Sequence, residues 1–178
     1  RQRQMCIRDS QSYADEPVTI DGSDSLATWT DTGGNIWTAP MSWTLGDVNQ
    51  VFINGVMKPA ARWPNAGPSF PWQNSLIKPS PDWSYLDTAG YTSGSNGWFT
   101  DTALPARADG YWTGAVVRIM SGKGWIMTHR TVTGYTDANK KIVTNDNSGT
   151  NANYALTAGN EYYLTGKKGE MDLSLIHI

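Results

Sequence analysis

An all-β fold is what this 178-residue sequence predicts, and three observations predict it. No window of about a dozen residues keeps apolar positions at i, i+3, i+4 and i+7 without Gly or Pro breaking the pattern, so little or no helix is expected. Short runs rich in Val, Ile, Thr, Tyr and Trp recur along the chain, bounded by Gly, Asn, Asp or Pro. Asn54-Gly55 lies between two such runs, and Asn-Gly there is the strongest short hairpin signal, because a type I′ turn needs positive φ at both central residues.

Pro17–Ile20 leads into Asp21-Gly22, and Asn35–Ala39 follows Gly33-Gly34, so both read as strands bounded by turns. Gln50–Lys58 reads as a hairpin about Asn54-Gly55. Pro59 cannot donate to a ladder, which ends the second arm or makes it an edge. From Pro64 to about Asn96 five prolines with interspersed Gly and Ser preclude regular structure over most of the stretch. Trp63, Trp72, Trp83, Tyr85 and Tyr91 imply that this loop packs on something, since disordered segments are aromatic-poor. Ala115–Met120, the turn Ser121–Gly124, and Trp125–Val132 read as a second hairpin. Lys141–Thr144 and Tyr162–Thr165 add strands on either side of the Asn/Gly-rich Asn145–Asn153. Short strands with turn signals between them fit a small barrel or sandwich.

The composition excludes several functions. Fourteen Lys plus Arg against sixteen Asp plus Glu, without runs, leave no electrostatic footprint for nucleic acid or an anionic membrane. No apolar stretch approaches the roughly 18 residues of a membrane span. Nine Trp and eight Tyr stand against only 17 % charged residues; such rings fill cores and also form platforms for apolar ligand faces.

The two ends are unlike the rest. Met5–Ser10 can be written ATG TGT ATA AGA GAC AG plus a pyrimidine, and the complementary strand read in a shifted frame spells Leu173–Ile178. The shared element resembles the mosaic end that a transposase attaches to library DNA, with Arg1–Gln4 matching the flanking primer. Residues 1–10 and 173–178 are therefore expected to be adapter-derived and are set aside, as scars are. Cys6, the sole cysteine, and His177 go with them, which removes disulfide, thiol and zinc-cysteine chemistry. The remainder, 11–172, is expected to be an internal piece of a longer bacterial protein from environmental DNA.

Gly34–Pro40, Leu45–Gly55, the Ala61-Arg62-Trp63-Pro64-Asn65 segment, Trp112–Ala115 and Leu164–Asp172 together carry a resemblance. They resemble the N-terminal part of bacterial secreted right-handed parallel β-helix proteins, pectate-lyase-like and polysaccharide-active. The resemblance implies a β-helix start over 11–45, an inserted β-rich domain over 46–165 with its Pro/Trp-rich loop at 64–96, and a return towards the solenoid at 166–172. It implies an extracellular or cell-surface location and a polysaccharide or oligosaccharide partner. Glycoside hydrolases, polysaccharide lyases and non-catalytic adhesins share this fold, which does not choose among them. The family's acids belong to the solenoid, so no catalytic residue is assigned in this chain, which is expected to be inactive alone. No cofactor is assigned, and calcium is left to the solenoid.

Candidate residues follow from the chemistry of glycans. Glycoside hydrolysis usually needs two carboxyls, and Asp82, Asp87, Asp101 and Asp109 lie in or near the Pro-rich stretch; turn formation is the simpler role for each. Trp72, Trp83, Tyr85 and Trp98 are candidates for stacking on sugar faces, with core packing the competing role. Trp37 and Trp125, within strand patterns, are expected in the core. Asn54 and Gly55 define the turn. Arg62, Trp63, Pro64 and Asn65 form a structural motif in which Arg62 is expected to anchor the insert by an ion pair or ring stacking. Of His129 and Arg130, alternation puts one inward and one outward. Asp21–Asp24 and Asn145–Gly149 cluster oxygens but lack calcium-loop spacing, and read as turns.

Overall fold

The computed structural model describes residues 22–42, 50–65, 82–92, 96–124, 126–145 and 155–171. Both adapter-like ends, Pro17–Ile20, Asp21, Trp72, Trp125 and most of Asn145–Asn153 lie outside them. The protein is all-β with antiparallel pairing, and among the described residues two short 3-10 turns, Asp137–Asn139 and Lys168–Glu170, accompany the strands. Every described pairing is antiparallel, so the parallel solenoid implied by the resemblance has no counterpart among the described residues.

Two compact units divide the chain between Asp47 and Val48. In the first, β1 (Thr30–Asp31) pairs β2 (Trp37–Thr38) across a turn in which Gly33, Gly34 and Asn35 all have positive φ. The Asp31 carboxylate accepts the Gly33 N–H at 2.8 Å, an Asp-initiated turn of the usual kind. Trp37, expected in the core, is 56 % exposed, and Trp29 beside it 45 %. A two-stranded ribbon buries neither face, which is why strand pattern alone misplaces the indole.

The second unit opens with the hairpin β3 (Val51–Ile53) and β4 (Val56–Lys58), joined at Asn54 (φ 52°) and Gly55 (φ 76°). Both values are those a type I′ turn demands, and β4 stops before Pro59. The strands that follow are β5 (Arg62–Trp63), β6 (Ser84–Tyr85), β7 (Thr88–Thr92), β8 (Asn96–Thr100), β9 (Val116–Ser121), β10 (Ile126–Thr136), β11 (Lys141–Thr144) and β12 (Glu161–Thr165). β6 and β7 form within the 64–96 stretch expected to be mostly irregular: its part beyond Pro81 has no proline, and strands form there.

The hydrogen-bonded order β12–β9–β10–β11–β8–β7 closes on itself. The segment that ends as β7 beside β8 begins as β6 beside β12, and Leu86 bridges the two: its N–H donates to Asn160 O at 3.0 Å and its carbonyl accepts from Gly159 N at 2.7 Å. β5 continues the same edge of β12 beyond β6, pairing Trp63 with Leu164. Long β10 serves two walls. Ile126–Thr131 pairs β9 and Val132–Thr136 pairs β11, with a register shift between Val132 and Gly134, and such a bulge bends a strand around a barrel corner.

Alternation fills the interior. Val117, Ile119, Val132, Ile142, Phe99, Tyr162 and Leu164 are at most 1 % exposed, and Trp112 closes the set from the loop before β9. The Phe99 and Tyr162 rings meet edge-on at 4.8 Å, and Trp63 tilts against Tyr162 and Trp112 at 6.1 and 6.4 Å. Buried Asp101 organises the polar part: its Oδ2 accepts from Tyr162 Oη and Ser84 Oγ, both at 2.6 Å, and its Oδ1 from Ala103 N at 2.7 Å. Burial, together with that carboxylate, raises the Tyr162 phenol well above its ordinary pKa, so it stays a donor.

Candidate functional site

Paired residues in an antiparallel sheet share a face, so the register assigns every side chain on the wall made by β10, β9, β12, β6 and β5. Facing inward are Val117, Ile119, Arg130, Tyr162 and Leu164. The outer face therefore carries His129 opposite Arg118, with Arg118 opposite Tyr163 in turn. On one side lie Met127 opposite Met120, and Glu161 opposite Tyr85. On the other, Thr131, Val116, Thr165 and Arg62 follow in order. Between strands the spacing is about 4.8 Å, so His129, Arg118 and Tyr163 form one continuous row.

Tyr163 is held from two sides. The Arg62 guanidinium lies 3.9 Å from its ring centroid, and Trp83 meets it edge-on at 4.9 Å. Arg62 is 2 % exposed; its Nε donates to Pro64 O at 2.9 Å and its Nη2 to the Asp82 carbonyl. Burial lowers its pKa to about 10, opposed by the neighbouring Tyr163 and Asp82. The ring stacking expected of Arg62 is thus present, and the Trp63–Pro64 peptide bond of the same motif is cis. The Arg118 side chain, half-buried in mid-row, has no hydrogen-bond or ion-pair partner among the described residues. Tyr85, 37 % exposed, and Met127, 48 % exposed, rise at the edges.

The stacking candidates separate. Trp83 and Tyr85 come together on this wall, but Trp83 is 5 % exposed and supports Tyr163, so it offers no free face. Trp98 stands on another wall, that of β7, β8 and β11. Its ring rests on Gly90, where a Cβ would come within 2.8 Å of the indole, and Lys141 Nζ sits 4.4 Å from its centroid. Trp72 lies outside the described residues. Sequence reasoning missed Arg118 and Tyr163. The available signal was a charged residue at an outward position of an otherwise apolar strand, Val116–Met120.

Three of the four candidate acids, Asp87, Asp101 and Asp109, accept hydrogen bonds that hold loops. Asp87 Oδ2 accepts from Thr102 N at 2.6 Å and Asp109 Oδ1 from Asp137 N at 2.7 Å, while Asp101 is the buried hub already described. Asp82 is 2 % exposed. Asp137 Oδ1 accepts from Tyr135 Oη, Lys140 Nζ and Arg107 N at 2.6, 2.7 and 2.9 Å. Those bonds, Lys140 foremost, hold its carboxyl far below the carboxylate range, and burial with the same contact raises Tyr135. Glu170 Oε1 takes Arg107 Nη2 at 2.9 Å and Tyr111 Oη at 2.8 Å, tying the residues after β12 to the loop before β9. That bond raises the Arg107 pKa, whereas burial is the first cause of the raised Tyr111 phenol. His129 faces out and Arg130 in. No group of three or more His, Cys, Asp or Glu able to hold a metal occurs among the described residues. No helix there is long and apolar enough to cross a membrane.

Comparison with known families, curated proteins and solved structures gives no match.

Proposed function

We propose that this chain belongs to an extracellular carbohydrate-active protein and that its barrel is a non-catalytic glycan-binding module. The observation that carries the reading is the outer wall of β10, β9, β12 and β6. There Arg62 and Trp83 fix the Tyr163 ring, Tyr85 stands exposed beside it, and Arg118 is free to donate. Glycans are recognised by such a combination, because sugar C–H faces pack on aromatic rings while hydroxyls take planar donors.

Binding is favoured over catalysis by the state of the carboxyls. A glycosidase needs one acid able to donate and a second positioned across the bond. Here Asp87, Asp101, Asp109 and Asp137 each accept hydrogen bonds from the protein's own loops or hydroxyls. Any hydrolysis or elimination is assigned to parts of the parent protein beyond this barrel.

Affinity electrophoresis of the whole chain through gels containing soluble polysaccharides tests the reading. Retardation by at least one polysaccharide, reduced in Tyr85→Ala, is the expected result. No retardation by any would remove the glycan-binding proposal, and release of reducing or unsaturated ends by the purified chain would remove the non-catalytic one.

A further inference from the structure

Two Asn-Gly pairs occur in the chain, Asn54-Gly55 and Asn96-Gly97, and in covalent terms they are alike. In such a pair the asparagine carboxamide carbon and the next backbone nitrogen can close a five-membered ring, and glycine leaves that nitrogen unhindered because it has no Cβ. The fold separates the two. Asn54 and Gly55 are both exposed at the tip of β3–β4, and a Cβ at Gly55 would meet nothing within 4 Å. Among the described residues neither the Asn54 carboxamide nor the Gly55 N–H has a hydrogen-bond partner. Gly97 is instead buried in β8, opposite Tyr91, and its carbonyl accepts from Thr144 Oγ1 at 3.1 Å. Ring closure requires the asparagine to swing until its carboxamide carbon meets the glycine nitrogen. At the tip that swing is cheap: three residue pairs join β3 to β4, no other strand pairs either among the described residues, and a lone two-stranded hairpin is marginal. At Asn96 it must draw Gly97 out of the sheet beside Trp98, which is paired to Gly90 on one side and Val143 on the other. An enclosed strand opens less often than an isolated hairpin frays.

We propose that Asn54 is a site of spontaneous deamidation and that the hairpin tip is a slow covalent switch which unpairs β3 from β4. The Gly55 nitrogen bonds to Asn54 Cγ, the bond from Cγ to the side-chain nitrogen breaks, and ammonia leaves with the proton that Gly55 gives up. Solvent water then opens the cyclic imide. Cleavage of the Cγ–N bond leaves aspartate, and cleavage of the backbone C–N bond leaves isoaspartate, whose main chain runs through Cγ. Isoaspartate thus adds one carbon to the main chain of a two-residue loop. Turn type and loop length fix the register of a hairpin, so the geometry that sets Ile53 opposite Val56 is lost. No enclosing strand restores it, because β3 and β4 have no other partner among the described residues.

Ageing of the whole chain in neutral buffer tests the proposal, followed by peptide mapping with mass spectrometry and fragmentation that separates aspartate from isoaspartate. Both Asn-Gly pairs are read in one sample, and a parallel sample in urea sets the intrinsic rate of each. In the folded chain, product should form at Asn54 at least about tenfold faster than at Asn96, and in urea the two rates should converge, because the gap reflects a difference in opening free energy. Asn54 reacting no faster than Asn96 in the folded chain, or not reacting at all, would overturn the site. A gap that persists undiminished in urea would overturn its structural cause. The switch is read by nuclear magnetic resonance: the Hα–Hα contact between Phe52 and Met57, which face each other across the hairpin, should be present in the fresh chain and lost in the isoaspartate form. Its persistence there would overturn the unpairing.

Discussion

The hairpins β3–β4 and β9–β10 have the same pairing and the same apolar character, yet opposite fates. β3–β4 has the better turn, with Asn54 and Gly55 both at positive φ, and still leaves Phe52, Ile53 and Val56 at 49, 44 and 58 % exposure. β9–β10 turns through Ser121–Gly124 and buries Val117 and Ile119 completely. The difference is in neighbours. β9 has a partner on each edge, β12 and β10, and a closed ring behind it, whereas among the described residues β3 and β4 are paired only to each other. Turn chemistry makes a hairpin; enclosure makes a core.

The sharpest way to break that comparison is to truncate a ring in each region. Phe99→Ala, at 0 % exposure in the barrel, should cost about 3 to 5 kcal/mol in urea unfolding, while Phe52→Ala should cost less than about 1 kcal/mol. Equal losses would mean that the hairpin is a buried part of the same cooperative unit. Next in size, Arg62→Ala should cost about 2 to 3 kcal/mol, because the Asp82 and Pro64 carbonyls lose a charged donor within the wall. Arg62→Lys should recover little of it, since an ammonium cannot lie flat on Tyr163 while reaching both carbonyls.

Gly90→Ala should cost about 1 to 3 kcal/mol and alter the near-UV circular dichroism of Trp98, as the new Cβ forces the indole off its strand. Gly134→Ala is its control: the nearest side-chain atom to that Cβ is 3.8 Å away, and little change is expected. The smallest effect lies at the exposed barrel rim. The folded-state pKa of Asp137 is depressed, so its stabilisation is present above the ordinary carboxylate pKa of about 3.9 and is lost as pH falls through the folded value. Thermal melts across the acid limb should show a shallower pH slope in Asp137→Asn than in the parent protein. An identical slope would show that the hydrogen bonds to Asp137 do not persist in solution.

Much of the barrel was legible in the chain. Val116–Met120, Lys141–Thr144 and Tyr162–Thr165 are rich in β-branched and aromatic residues and bounded by turn signals, and strands stand at all three. β6 and β7 were hidden by the prolines before them, because a breaker-rich window averages over a strand that starts at its end. Of the wall, Tyr85 and Arg62 could be singled out, and Trp83, a stacking candidate with packing as the competing role, packs on Tyr163, while Arg118 and Tyr163 were not singled out at all. Rows across a sheet join residues far apart in sequence, here 118, 129 and 163, and no local window contains them.

The sequence by itself determined the all-β class, the Asn54-Gly55 turn, the main hairpin and the inward-outward alternation of its strands, since each follows from steric preferences acting over a few residues. Tertiary structure alone decided which hairpin is buried, that β6 and β7 close the ring against β12, and that Arg118 stands between His129 and Tyr163. The reason is that register and closure are set by the summed packing of all strands at once, where a slip of one residue would turn every buried side chain outward.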